Sequence, residues 1–326
     1  MTPDQHSRND PPVAVLLALY NPPADWLGQL LDSLREQTYR NLKIYIRDDA
    51  SDRLPPEGLE SFVARRLDGI PFRLFRNERN LGSNGTFAAL VRDAQEELIA
   101  FCDQDDVWLP DKVERSVRLF CQSPLHPVLV CSEASVIDAD GRELSPLISR
   151  HRKRHVFLRG AGLADKLIYR NFAMGCTMLL RREWALSLLP FPDGIVHDHY
   201  IAFRAACDGA IDYLPEPTIR YRVYGGNQTG VMTGIRSKED YFRRRIAVFG
   251  KRIAEFSRYT DLPALKEARE WCDARVANYE RKKGAFRRLF ALRRVNRSTT
   301  WFELLALRFP ALLFRIAIRL VQKRVL

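Results

Sequence analysis

An α/β fold with a mostly parallel sheet flanked by helices is predicted for this 326-residue chain by two observations. Short apolar runs alternate with amphipathic stretches from Val13 to about Leu214, a pattern that packs helices onto parallel strands. Three polar clusters also follow directly on apolar runs, which is where such sheets bind their ligands. Val13–Leu19 reads as a buried strand. Trp26–Gln37 reads as a helix with Leu27, Leu30, Leu31 and Leu34 on one face, and Leu42–Ile46 as a second strand running into Arg47-Asp48-Asp49. Glu57–Leu67 is expected as a helix and Phe72–Phe75 as a strand. Phe87–Glu96 is expected as a helix leading into a strand at Leu98–Cys102.

The polar clusters are Leu19-Tyr20-Asn21 after the first strand, Asp48-Asp49-Ala50-Ser51-Asp52 after the second, and Asp103-Gln104-Asp105-Asp106 after the fourth. A turn carrying helix-capping acids explains any one of them. Three at equivalent topological positions point to one crevice. Asp103, Asp105 and Asp106 crowd three carboxylates into four residues, and like charges so close need water or a cation between them. Mg²⁺ or Mn²⁺ suits, because these ions take one or two protein carboxylates and complete their shell with water and substrate phosphates. A calcium loop fails, since Trp108 stands where its turn glycine is required.

Composition narrows the class further. The net charge of +12 is uneven: residues 1–235 carry 28 Lys/Arg against 31 Asp/Glu, and residues 236–326 carry 24 against 9. The excess suggests an anionic partner for the tail, lipid headgroups or nucleic acid. Six scattered cysteines without a Cys-x-x-Cys pair read as reduced core residues of a cytoplasmic protein. Residues 1–12 are polar with Pro3, Pro11 and Pro12, expected to be flexible and neither signal peptide nor anchor.

In order, Leu19-Tyr20-Asn21, Asp48-Asp49-Ala50-Ser51-Asp52, Asn80-Leu81-Gly82, the block from Asp103 to Lys112, Gly175-Cys176-Thr177-Met178, His197-Asp198, and Tyr221-Arg222 with Asn227 resemble the inverting glycosyltransferases of family 2. The likeness is to members with the GT-A fold, particularly rhamnosyltransferase-like enzymes of bacterial surface polysaccharides, and covers about Val13 to Gly230. It implies a GT-A catalytic domain over 13–235, followed by a basic helical region over 236–326. It implies that Asp48 accepts a hydrogen bond from a pyrimidine N–H, with Leu19, Tyr20, Asn21 and Asp49 near base and ribose and Asn80 and Gly82 bordering nucleotide and donor sugar. Asp105 becomes the favoured metal ligand and Asp103 its partner toward ribose and metal-bound water, with Gln104 and Asp106 beside them. Asp198 becomes the general base on the opposite face of the sugar, as inversion requires. Asp198 as a plain N-cap is the bland alternative. His197 is assigned to orienting Asp198, and a zinc site through His197 and His199 lacks a third ligand.

Trp108, Gly175, Cys176 and His197 are candidates for the acceptor or sugar pocket. Gly175 to Leu180 is expected to be a strand, and His151–His155 a solvated basic loop or a contact to an anionic acceptor. The chain departs from the family pattern at Thr86, where an asparagine is usual, at Ala50, where glycine is frequent, and at Tyr224, where relatives commonly carry a histidine. Arg222 and the loop from Gly225 to Gln228 are expected to close over the diphosphate instead.

The tail reads as helical. Trp301–Leu326 mixes large apolar residues with Arg308, Arg315, Arg319, Lys323 and Arg324, so no window is apolar enough to span a bilayer. An amphipathic helix on the inner face of the cytoplasmic membrane is expected, and a helix packed on the catalytic domain or in a homodimer is the alternative. The expected donor is a dTDP- or UDP-sugar and the acceptor a glycan or lipid-linked oligosaccharide; nucleic acid is not expected. A nucleotidyltransferase would carry a Gly-rich, lysine-bearing phosphate loop near the first strand, which is missing. A non-catalytic scaffold would have no use for the aspartates.

Overall fold

The computed structural model describes residues 10–53, 56–152, 155–225 and 234–323. The chain divides into two compact units, Met1–Tyr224 and Gly225–Leu326, whereas the sequence suggests a boundary after residue 235. The expected closing loop around Asn227 and Gln228, the cations Lys153 and Arg154, and most of the N-terminal segment lie outside the described residues.

The first unit is built on a mixed, largely parallel sheet with the strand order β3-β2-β1-β4-β9-β6-β10-β5. Its strands are β1 (Val13–Leu19), β2 (Leu42–Asp48), β3 (Phe72–Arg76), β4 (Leu98–Cys102), β5 (Val107–Trp108), β6 (Leu129–Ile137), β7 (Glu143–Ser145), β8 (Gly160–Ala161), β9 (Leu179–Arg181) and β10 (Ala210–Arg222). Strands β1 to β4 pair in parallel, with Val13 opposite both Leu42 and Leu98. β6 and β10 form a second parallel pair, and β9 lies antiparallel between β4 and β6. The strands are buried along their whole length in β4 and β6 and at every position but Ala18 in β1, as covering on both faces demands.

Around the sheet lie α1 (Ala24–Arg35), α2 (Pro56–Arg66), α3 (Gly82–Asp93), α4 (Lys112–Gln122), α5 (Ile148–His151), α6 (Ala164–Leu167), α7 (Arg182–Ser187) and α8 (His197–Asp208). The core joins Val13, Val15 and Leu17 of β1 to Leu27, Leu30, Leu31 and Leu34 of α1 and Val113 and Val117 of α4. Two elements differ from expectation. α3 begins at Gly82, five residues before Phe87, because Asp49 accepts the Leu81 and Gly82 amides at 2.7 and 2.9 Å and caps the helix from outside. Gly175–Thr177 is a 3₁₀ turn and not strand; only Leu179–Arg181 pairs with the sheet.

The second unit is helical: α9 (Lys238–Tyr241), a π-helix at Phe242–Ala247, α10 (Val248–Phe256), α11 (Pro263–Tyr279), α12 (Ala285–Ala291), α13 (Arg297–Ala306) and α14 (Ala311–Lys323). Its own core gathers Ile235, Tyr241, Ile246, Leu307, Phe314 and Ile318. Inside it, the Arg275 guanidinium donates to both oxygens of Glu303 and the Tyr241 hydroxyl donates to Glu303 at 2.8 Å, so a buried charge pair is fully bonded.

Candidate active site

Side chains at the carboxyl ends of β1, β2 and β4 stitch those ends together. The Tyr20 amide donates to Gln104 Oε1 at 2.7 Å, and Gln104 Nε2 donates back to the Tyr20 carbonyl at 3.1 Å. Asn21 holds a left-handed backbone (φ 48°). Its amide donates to Ser51 Oγ at 2.8 Å, and its Oδ1 accepts the amides of Asp52 and Arg53 at 3.1 Å. Leu19 is buried, and its carbonyl accepts the Asp49 amide at 2.8 Å. Gln104 and Asn21 thus shape the crevice through the loops they bind.

Asp48 and Asp49, both buried, face different tasks. Asp48 accepts from the Ser51 hydroxyl and pairs with Arg76 at 3.2 Å. Asp49 is engaged by Asn77 Nδ2 and the α3 amides. Asn80 is exposed, with its Oδ1 accepting the Gly82 amide at 3.0 Å. Gly82 sits at φ 69°, a conformation that a side chain would strain.

Within the aspartate cluster Asp106 is fully buried, Asp103 and Asp105 are half-buried, and the three carboxylates repel one another. Burial first, then Asp105 and Asp198, pushes the Asp103 carboxyl up to about 7. Burial followed by its two aspartate neighbours drives Asp106 well above the ordinary carboxylate range, and burial raises Asp105 as well. Asp106 Oδ1 accepts the Arg222 amide at 3.0 Å, while its buried Oδ2 has no hydrogen-bond partner. The ligand atoms of Asp103, Asp106 and Cys176 lie within 4.8 Å of one another. An orphaned carboxylate oxygen beside a second acid fits a hard divalent cation. Burial holds the Cys176 thiol well above its usual value, so it stays protonated and the donor set is led by oxygen.

Asp105, the ligand favoured by sequence, stands outside that trio. The Tyr224 phenol hydrogen-bonds its carboxylate, and the same ring meets Trp26 edge-on at 4.7 Å. Tyr224 therefore acts on the aspartate motif by presenting Asp105.

Arg222 and Trp108, like His197 beside Asp198, are buried away from the roles expected of them. Arg222 is 1 % exposed, and its guanidinium is spent inside the protein. It donates to the carbonyls of Asp105, Asp138 and Ala139 and to Gln29 Oε1, at 2.8 to 3.2 Å. It supports the aspartate turn and does not reach over a diphosphate. Trp108 is 2 % exposed because β5 pairs with β10, and its ring packs in the core under Lys112 Nζ at 4.4 Å. Lys112 is itself buried, donates to the Cys176 carbonyl at 3.0 Å, and is pushed down to about 8 by burial.

Asp198 lies in the first turn of α8, where Val196 is the N-cap, so it is not the helix cap. The Gly175 amide approaches its Oδ2 at 3.4 Å, and a Cβ on Gly175 would meet His197 Nε2 at 3.2 Å and Asp198 Cβ at 3.4 Å. The missing side chain lets the 3₁₀ turn close on α8. His197 is walled in by Phe87 and Phe101, at 4.4 and 5.4 Å, and burial lowers it to about 3. It is therefore a neutral structural ring and not a pocket lining. His199 is buried with its Nε2 bonded to the Leu167 carbonyl at 2.6 Å, and the candidate ligand group among the described residues, Asp103, Asp106 and Cys176, does not include it.

Sequence reasoning missed Asn84. Its Nδ2 donates to the carbonyls of Pro192 and Ile195 at 3.1 and 2.7 Å, and its Oδ1 accepts the His197 amide at 2.9 Å. One side chain of α3 thus supplies the cap that Val196 cannot. An Asn two residues past Gly82 carried no signal of that contact, which spans 113 positions. A separate cavity of about 350 Å³, lined by Arg115, Arg118, Arg159 and Asp212, lies at the end of α4. Arg115 and Arg159 pair there with Glu216 and Asp212.

Comparison with known proteins agrees with this architecture. Residues 14–188 match the model of glycosyl transferase family 2. An uncharacterized protein of Mycobacterium tuberculosis is 28 % identical over 205 residues, 61 % of this chain and 55 % of that protein. The chain thus spans about half the length of such relatives. An uncharacterized glycosyltransferase of a Nostoc species is 28 % identical over 218 residues, 66 % of each chain. Among solved structures, Staphylococcus aureus TarS in complex with UDP-GlcNAc superposes with a TM-score of 0.58 at 15 % identity, covering 96 % of this chain and 90 % of that one. The mannosyltransferase PcManGT of Pyrobaculum calidifontis, in complex with GDP-Man and Mn²⁺, gives 0.57 at 19 %, covering 98 % and 87 %. At such identities these two structures speak for the GT-A fold alone. With more than half of its length matched by the family model, the chain belongs to glycosyl transferase family 2.

Proposed function

We propose that the chain is a metal-dependent, inverting glycosyltransferase. It moves a sugar, rhamnose or another hexose, from a dTDP- or UDP-sugar to a surface-glycan acceptor such as lipopolysaccharide or a lipid-linked oligosaccharide. It works at the inner face of the cytoplasmic membrane, with its basic C-terminal region toward anionic headgroups. The observation that carries the reading is the gathering of Asp103, Asp106 and Cys176 at the end of β4, with Asp198 close enough to raise Asp103. Relatives named glycosyltransferase and solved neighbours holding UDP-GlcNAc or GDP-Man support a nucleotide sugar as donor, without choosing its base.

In this reading Asp48 accepts the pyrimidine N–H, with Arg76 and Ser51 fixing its carboxylate. Asp103, together with Asp105 or Asp106, would hold the divalent cation, which when bound supplies charge neutralisation to the departing diphosphate. Asp198 accepts the proton of the acceptor hydroxyl as its oxygen bonds to the anomeric carbon. The bond from that carbon to the diphosphate breaks, and its electron pair leaves with the nucleotide.

Thermal unfolding with UDP, dTDP and GDP, each with and without Mn²⁺, tests the donor. Pyrimidine diphosphates with Mn²⁺ are expected to raise the midpoint, and no response to any nucleotide would sink the reading. Asp105→Asn and Asp106→Asn, compared for loss of the Mn²⁺-dependent part, identify the partner of Asp103. Asp198→Asn should abolish transfer, found with a panel of nucleotide sugars, while nucleotide binding persists; retained turnover would reject it as base.

A further inference from the structure

The last two helices expose an apolar surface that their unit's core does not use. On α14, Phe314 and Ile318 are each 1 % exposed and pack into that core. Leu312, Leu313, Ile316 and Leu320, on the other side of the helix, are 45 to 67 % exposed. At 100° per residue these four fall within one stripe opposite Phe314 and Ile318, with the exposed Arg315 and Arg319 alongside. Leu305 of α13 and Phe309 in the connection add 55 and 39 % exposed side chains. A helix that buries one face in its own unit and shows a second apolar face to solvent has an unfilled partner.

Charge selects that partner. From residue 281 to the end the sequence carries thirteen lysines and arginines and one acid, Glu303, which is buried against Arg275. A second copy meeting this face about a two-fold axis would set like charges against each other. A bilayer surface with anionic headgroups offers apolar depth and opposite charge together. No helix among the described residues is long and apolar enough to cross a membrane, and an amphipathic helix pair of this kind suits the plane of a leaflet.

We propose that Leu305, Phe309, Leu312, Leu313, Ile316 and Leu320 form the membrane-inserting face of this chain, with Arg315 and Arg319 at headgroup level. This deepens the membrane placement in the proposed function without depending on the reaction. The test is sedimentation of the full chain with vesicles of phosphatidylcholine containing roughly a third phosphatidylglycerol, against pure phosphatidylcholine, at low and high salt. Binding is expected to the anionic vesicles, and to weaken about tenfold or more on neutral ones and at high salt.

The triple variant Leu312→Ser, Ile316→Ser, Leu320→Ser should cut partitioning at least about tenfold while leaving the unfolding midpoint unchanged. Arg315→Gln with Arg319→Gln should lessen the preference for anionic lipid. Undiminished binding by the folded triple variant overturns the assignment. So does a wild-type dimer that ignores vesicles and dissociates in that variant, which would give the face to a second copy. Nucleotide-dependent stabilisation, measured on the same samples, reports on the glycosyltransferase reading separately.

Discussion

Replacing Asn84 by alanine should loosen the start of α8, where the proposed base sits. The side chain makes three hydrogen bonds to the segment from Pro192 to His197, at 2.7 to 3.1 Å. At about 1 kcal/mol net for each bond, their loss costs about 3 kcal/mol. Waters that reach the Pro192 carbonyl would trim this toward about 2 kcal/mol. For a unit of this size that lowers the unfolding midpoint by roughly 5–10 °C. The assay is thermal unfolding paired with amide exchange at His197, whose N–H loses its acceptor. Because the strap reaches Asp198 through the backbone, turnover should fall by about tenfold or more while UDP or dTDP affinity is nearly kept. A midpoint shifted by less than about 1 °C, with His197 exchange unchanged, would refute the strap.

Burial holds His197 near 3 in the folded chain against 6.5 for an exposed ring. The unfolded chain therefore binds the extra proton first, so stability is full above about pH 6.5 and falls as pH drops toward 3, by up to about 4 kcal/mol from this ring. His197→Phe, in a site already walled by Phe87, Phe101 and Phe191, should flatten that part of a denaturation-versus-pH profile; an unchanged slope would assign the acid sensitivity elsewhere. Arg222→Met strips donors from three carbonyls and Gln29 and should cost about 3 kcal/mol or more in chemical denaturation. A loss of nucleotide affinity without loss of stability would instead restore Arg222 to the diphosphate.

The ends of β1, β2 and β4 were legible because each joins a continuous apolar run to a polar cluster, and their parallel pairing brings those clusters side by side. The start of α3 was not, since Asn80-Leu81-Gly82-Ser83-Asn84-Gly85 reads as a turn in isolation and becomes helix only under Asp49. Trp108 followed the acidic motif and was assigned to the pocket with it. Its burial comes from pairing with Ile219 of β10, a partner over a hundred positions away. Tyr224 stands out in the sequence only as a replacement for the histidine of relatives, and its contact to Asp105 depends on a strand end that local sequence does not place. Long-range supports of this kind leave no periodicity to read.

The carboxylate of Asp49 has a further consequence for how a diphosphate is received. A free helix N-terminus attracts phosphate through its amides and dipole. At α3 that position is taken by a resident anion, which accepts the Leu81 and Gly82 amides. This end of the helix is therefore self-inhibited as a phosphate cradle and adds negative potential to the crevice. Nucleotide diphosphates should bind this chain poorly without divalent cation, and their affinity should rise with its concentration until the acidic pocket is neutralised.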